Sequence, residues 1–226
     1  MASRNFMPSR YLRRFPVYLL LDCSGSMLGE PATAMSDGLE IIYRLLMDDP
    51  EALERVYICL ITFAEVAEVE PLVAIDDFRP PTLAASGKTA MGAALWGLAE
   101  SIQEDLLPNT AEQRGDYRPL VFLITDGAPT DDYRQGLKRL KALTRHQPLI
   151  IALGCGPDAD IAVLQEVTEK DKVFLMQTFT SQALHQYFKW ISDAVIISSR
   201  AVNNSTSQGA VIPPPTTIPG IFPSHS

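Results

Sequence analysis

The sequence predicts an α/β fold: a doubly wound, mostly parallel sheet with helices on both faces. Three observations predict it. Several short runs are apolar throughout, among them "FPVYLLL" (15–21), "RPLVFLITD" (118–126) and "PLIIALG" (148–154), as strands covered on both faces are. These runs alternate with segments of helical period, the pattern of strand–helix–strand units. Polar clusters rich in Ser, Thr and Asp follow the runs, at the strand ends where such sheets bind ligands.

Each element follows in order. The first strand, 15–21, leads to a helix over 31–49, with Pro31 in its first turn and Leu39, Ile42, Tyr43 and Leu46 on one face. "RVYICLITF" (55–63) is the next strand. "AEVAEVEPLVAI" (64–75) alternates acidic and apolar residues, as an exposed edge strand does. "PPTLAASGKT" (80–89) is a loop, and 90–107 is a helix rich in small residues that suits close packing. After the strand at 118–126 comes an amphipathic, partly basic helix (131–146), then the strand at 148–154, a helix (158–169), a strand (172–177) and a closing helix (181–199). The last presents Leu184, Tyr187, Phe188, Ile191 and Val195 on one face. Three segments result: a basic arm (1–14), one folded domain (15–200) and a flexible tail rich in Pro, Ser and Thr (201–226).

Composition narrows the function. The chain has 226 residues and is 46 % hydrophobic, enough for one sizeable core. No apolar run reaches the roughly 18 residues of a membrane span. The opening stretch imitates a signal peptide, but its apolar run is short and ends at Asp22. Net charge is −8; setting aside the arm's Arg4, Arg10, Arg13 and Arg14 leaves −12 on the rest. An acidic body argues against nucleic acid as a partner. Cys23, Cys59 and Cys155 are odd in number and lie singly in apolar runs, so they read as small buried side chains of a cytoplasmic protein. His146, His185 and His225 have no metal-ligand spacing.

"DCSGSM" (22–27) carries the chemistry. Asp22, Ser24 and Ser26 are two residues apart and share a direction in extended chain. Thr89 of "GKT" and Asp126 of "ITDG" fall at the same sheet edge. Separately, each is at home as a helix cap or turn residue. Together they make three hydroxyls and two carboxylates, an all-oxygen donor set suited to Mg²⁺ or Mn²⁺. If the hydroxyls bind directly and the carboxylates act partly through water, one position is left for an outside oxygen. A partner's Asp or Glu would supply both that oxygen and the missing charge.

"DCSGSM … GKTA … ITDG" resembles the metal-ion-dependent adhesion site of von Willebrand factor type A domains, over about residues 15–200. The resemblance implies a Rossmann-like sheet of six strands, the third short and antiparallel. It implies Ser24, Ser26 and Thr89 as direct ligands of Mg²⁺, Mn²⁺ or Ca²⁺, with Asp22 and Asp126 holding coordinated waters or binding directly. More narrowly, "FPVYLLLDCSGSMLGEP", "LITFAE", "PPTLAASGKTAMGAAL" and "FLITDGAPTDD" are similar to the bacterial tellurium-resistance (TerY-like) members. That similarity implies a cytoplasmic stress-response system with phosphatase- and kinase-like partners.

Two other motifs point elsewhere. "GKT" lacks the first glycine of a phosphate-binding loop, since Thr82 stands there, and Pro80 and Pro81 occupy the place of the preceding strand. "GCGPDA" after "PLIIAL" fits a dinucleotide pattern, but Asp158 and Asp160 would repel a pyrophosphate. A metal-dependent phosphoester hydrolase is the alternative function, and a scaffold with a vestigial metal site is the third. The hydrolase lacks a base, since no histidine lies near these motifs. The expectation is a non-enzymatic, cation-dependent protein-binding module.

Overall fold

The computed structural model describes residues 13–204 and 212–224. Arg4, Arg10 and His225 lie outside the described residues. The strands are β1 (Phe15–Asp22), β2 (Val56–Phe63), β3 (Ala67–Val69), β4 (Val73–Ala74), β5 (Leu120–Thr125), β6 (Leu149–Cys155), β7 (Val173–Met176) and β8 (Ile221–Pro223). The helices are α1 (Glu30–Met47), α2 (Pro50–Arg55), α3 (Met91–Asp105), α4 (Tyr133–Lys141), α5 (Ile161–Val167) and α6 (Ser181–Asn204). They enclose one sheet of order β3-β2-β1-β5-β6-β7-β8, with β4 also pairing β2.

β1, β2, β5, β6 and β7 run parallel. All eight residues of β1 and all six of β5 are buried, which is why these strands read as unbroken apolar runs. Alternate residues feed two cores. Val17, Leu19 and Phe122 face the side covered by α1 and α6; Tyr18, Leu20 and Leu123 face α3, α4 and α5. The predicted face of α6 is wholly buried, from Leu184 to Val195. α1 and α6 approach closely at Gly38, where a Cβ would stand 2.2 Å from the Phe188 ring.

The architecture is the predicted one, and the strand count departs from it. Eight strands are present among the described residues, where six were expected. The edge segment 64–75 is interrupted around Pro71, which cannot donate to a ladder, and forms β3 and β4, both antiparallel to β2. The second extra strand is β8. It pairs antiparallel with β7, matching Met176 to Ile221 and Leu175 to Phe222. Ile218 and Ile221 are buried in the α6-side core, and the Trp190 indole donates to the Pro213 carbonyl. Residues 212–224 therefore depart from the expected flexible tail: two isoleucines gain burial and an open sheet edge gains a partner. α6 also runs on to Asn204, and α4 stops at Lys141, short of the predicted 146.

The described end of the arm is anchored. Arg14 binds Asp116 through two bonds, of 2.9 and 2.5 Å. Arg13 donates to the Gly115 and Asp116 carbonyls. The three cysteines are buried free thiols. Burial pushes the Cys23 thiol up to about 11 and that of Cys59 up to about 12, so neither supplies thiolate near neutral pH.

Candidate metal centre

β1 and β5 lie side by side, pairing Leu21 with Ile124. Their carboxyl ends therefore deliver Asp22 and Asp126 to one edge of the sheet. The Asp22 carboxylate is fully buried and has two donors. Its Oδ1 accepts the Ser24 N–H at 2.8 Å, and its Oδ2 accepts the Thr125 hydroxyl at 2.5 Å. The first bond folds the chain sharply after β1. A short 3₁₀ turn (Gly25–Met27) follows, and Ser24 Oγ comes to 3.1 Å from Ser26 Oγ. The Ser26 hydroxyl donates to Asp126 Oδ1 at 2.8 Å. Residues 100 positions apart are thus joined in one chain, Ser24–Ser26–Asp126.

A third loop closes the group. Gly25 N–H donates to the Gly87 carbonyl at 3.0 Å, and Ser86 N–H to the Cys23 carbonyl at 2.8 Å. Gly87 has φ +74°, a conformation that side chains disfavour. The loop then presents Thr89, which is buried. Its carbonyl accepts the Thr130 N–H, and its own N–H donates to the Thr130 hydroxyl. A Cβ added to Gly127 would lie 3.6 Å from Thr89 Oγ1, so the threonine hydroxyl adjoins the Asp126 turn. All five candidate residues meet at this edge.

Capping does not account for Thr89. α3 has Ala90 at its N-cap position with no side-chain cap. Asp131 serves instead, accepting from Gly92 N–H at 2.8 Å and Ala93 N–H at 2.9 Å. A carboxylate there satisfies two orphan donors and suits the helix dipole. Among the described residues no hydrogen bond uses the Thr89 hydroxyl. Lys88 points out of the group and pairs with Glu65 at 3.6 Å, both side chains exposed.

Sequence reasoning missed three supporting residues. Thr125 was visible in "ITDG" without a role. Thr130 and Asp131 lie in "APTDD", and Asp131 read as part of the following helix, whereas it caps the preceding one.

Charge in the group calls for a cation. Burial raises the Asp126 carboxyl above its usual range; the Ser26 hydrogen bond opposes this, and the charges of Asp22 and Asp158 add to it. Two carboxylates held at one edge, with the unused hydroxyl of Thr89 beside them, form a hard-oxygen donor set. It fits a small divalent ion. No group of three or more His, Cys, Asp or Glu side chains placed for a metal occurs among the described residues. A site here therefore depends on its hydroxyls.

A family model, the von Willebrand factor type A domain, matches residues 17–190. The chain belongs to that family. Solved structures with the same fold include proximal thread matrix protein 1 from the mussel byssus, at 16 % identity and a TM-score of 0.58, covering 82 % of this chain and 48 % of that one. A von Willebrand factor type A protein from Catenulispora acidiphila matches at 18 % identity and a TM-score of 0.59, covering 82 % and 43 %. The pilus adhesin SpaC from Lactobacillus rhamnosus GG matches at 15 % and 0.63, covering 82 % and 30 %. The chain thus spans less than half the length of these relatives. Another structure of the mussel protein has a zinc-occupied metal-ion-dependent adhesion site. No curated protein matches. No helix among the described residues of this von Willebrand A domain is long and apolar enough to cross a membrane.

Proposed function

We propose that this von Willebrand A domain is a protein-binding module that works through a divalent cation held by Asp22, Ser24, Ser26, Thr89 and Asp126. The observation that carries the reading is the convergence of Ser26, Asp126 and the unused Thr89 hydroxyl at one edge, with Asp22 buried beneath. When bound, the ion would supply a positive centre able to attract an outside oxygen. The chain's own residues do the rest. Thr125 and the Ser24 N–H hold Asp22, and Ser26 aligns Asp126. The Thr130 hydroxyl and backbone fix the Thr89 loop. Hydroxyl ligands are neutral, so the ion keeps charge that a partner's Asp or Glu would satisfy. Mg²⁺ or Mn²⁺ suits the compact oxygen set best, with Ca²⁺ as the larger alternative.

Binding is preferred to hydrolysis because the described histidines stand elsewhere. His185 lies 3.5 Å from Asp37 on the α1–α6 side, and His146 sits between α4 and β6, near the opposite end of the sheet. Neither is placed to serve as a base beside Ser24 or Ser26. The similarity of the site segments to TerY-like proteins supports a cytoplasmic setting in a tellurite or stress response, with phosphatase- or kinase-like partners.

The test is recovery of a partner from cell extract in Mg²⁺ and in EDTA, using wild type, Thr89→Ala and Lys138→Ala. Lys138 is an exposed residue of α4. Recovery by wild type and Lys138→Ala in Mg²⁺ alone, and its loss in Thr89→Ala with unchanged circular dichroism, supports the reading. Equal recovery in every condition contradicts it.

A further inference from the structure

The opposite end of the sheet carries an arginine-lined pocket. Arg13 precedes β1, Asp116 and Arg118 precede β5, and Arg145, His146 and Gln147 precede β6. Together they line an open pocket of about 630 Å³, a volume within the usual range for small-ligand sites. It lies about 26 Å from Asp22 by the length of the eight-residue β1.

The pocket's charge is opposite to that of the molecule. The chain carries −8 overall, yet three arginines meet here. The single acid, Asp116, is already committed. It is buried, doubly bonded to Arg14, and accepts the Leu107 N–H at 2.8 Å. It therefore adds little to neutralise Arg13, Arg118 and Arg145.

Two of the guanidinium groups are held in place. Arg13 donates to the carbonyls of Gly115 and Asp116 and stacks 4.0 Å from the Tyr117 ring centre. Arg118 donates to the carbonyls of Gln147 and Pro148 at 2.8 and 3.0 Å. Each has used two of its five N–H groups, so three on each remain for a ligand. Arg145 is exposed and makes no side-chain hydrogen bond or ion pair among the described residues. The backbone of His146 has φ +54°, the one non-glycine residue with positive φ among those described. Such conformations gather at functional sites. Its half-buried imidazole faces the Leu107 backbone, Asp116, Arg13 and Arg145, and burial lowers its pKa.

Fixed, planar, permanently charged donors suit an oxyanion better than flexible lysines would. Three of them suit a doubly charged group better than a single carboxylate. We propose that this pocket binds a phosphoryl group, independently of the cation site at the other end of the domain. Small molecules and phosphorylated side chains both carry such a group, and the test separates these sources.

The test is calorimetric titration of the full chain in EDTA with inorganic pyrophosphate, with a phosphoserine peptide and its unphosphorylated twin, and with acetate at matched ionic strength. The proteins are wild type, Arg145→Gln and Arg44→Gln. Arg44 is an exposed α1 residue that pairs with Glu40, so its variant carries the same charge change far from the pocket. Arg145→Gln removes no bond of the fold. Saturable pyrophosphate binding weakened roughly tenfold by Arg145→Gln and unchanged by Arg44→Gln supports the proposal. Tighter binding of the phosphoserine peptide than of pyrophosphate, with the same dependence on Arg145, supports it with a modified protein as the source. No saturable binding, equal weakening by the two variants, or acetate binding as well as pyrophosphate would overturn it.

Discussion

The Thr125 hydroxyl donates to Asp22 Oδ2 at 2.5 Å, inside the protein and across the β1–β5 seam. The candidate ligand Asp22 is therefore positioned by the last residue of the neighbouring strand, one residue before the second acid, Asp126. Replacing Thr125 by Val keeps the shape of the side chain and removes the donor. A buried carboxylate oxygen then lacks its partner, at a cost of about 1–3 kcal/mol. Urea unfolding in EDTA should show this loss for Thr125→Val and little for Thr125→Ser. Equal stability of Thr125→Val and wild type would show that the bond contributes nothing.

Asp126 gives a pH dependence of defined sign. Its carboxyl is held above the usual range, chiefly by burial. The native state thus keeps this proton more tightly than the unfolded chain does. Its contribution favours the native state in acid and is lost as pH rises through the folded pKa. Asp126→Asn lacks that loss. In EDTA at neutral pH the variant should be at least as stable as wild type, and its stability should fall less between about pH 4 and about pH 7. It should also lose the rise in Tm that Mg²⁺ gives wild type. A variant that is less stable than wild type in EDTA at neutral pH would contradict this.

The C-terminal segment should behave as part of the domain. Ile221 is 2 % exposed and pairs with Met176 on the sheet edge. Ile221→Ala should cost roughly 2–5 kcal/mol. Removing residues 212–226 should also uncover the β7 edge and promote association. Unfolding midpoints and light scattering check both effects. A truncated chain as stable and as monomeric as the full one would show that β8 is dispensable.

What was legible in the sequence follows from locality. β1, β5 and β6 declared themselves because strands buried on both faces need apolar residues at every position. Asp22, Ser24, Ser26, Thr89 and Asp126 stood out as polar residues ending apolar runs, and the fold brings those ends together. The supports were harder to read. Thr125 looks like one more β-branched strand residue until its partner, 103 positions away, is known. Asp131 caps a helix that begins 40 residues before it, a relation no sequence period encodes. β8 escaped because three residues carry no usable pattern, and the burial of Ile218 and Ile221 exists only once β7 and α6 are in place. The arginine pocket draws on three segments whose only common feature is that each precedes a strand.

Titration of the full chain with Mn²⁺, followed by electron paramagnetic resonance, tests the central claim most directly, since bound Mn²⁺ loses the sharp six-line signal of the free ion. Wild type should bind one ion per chain, and Mg²⁺ should displace it. Ser26→Ala and Thr89→Ala should each weaken binding by roughly tenfold or more, while Lys138→Ala should leave it unchanged. Wild-type affinity retained in both hydroxyl variants, or no saturable binding by wild type, would contradict a cation site built on Asp22, Ser24, Ser26, Thr89 and Asp126.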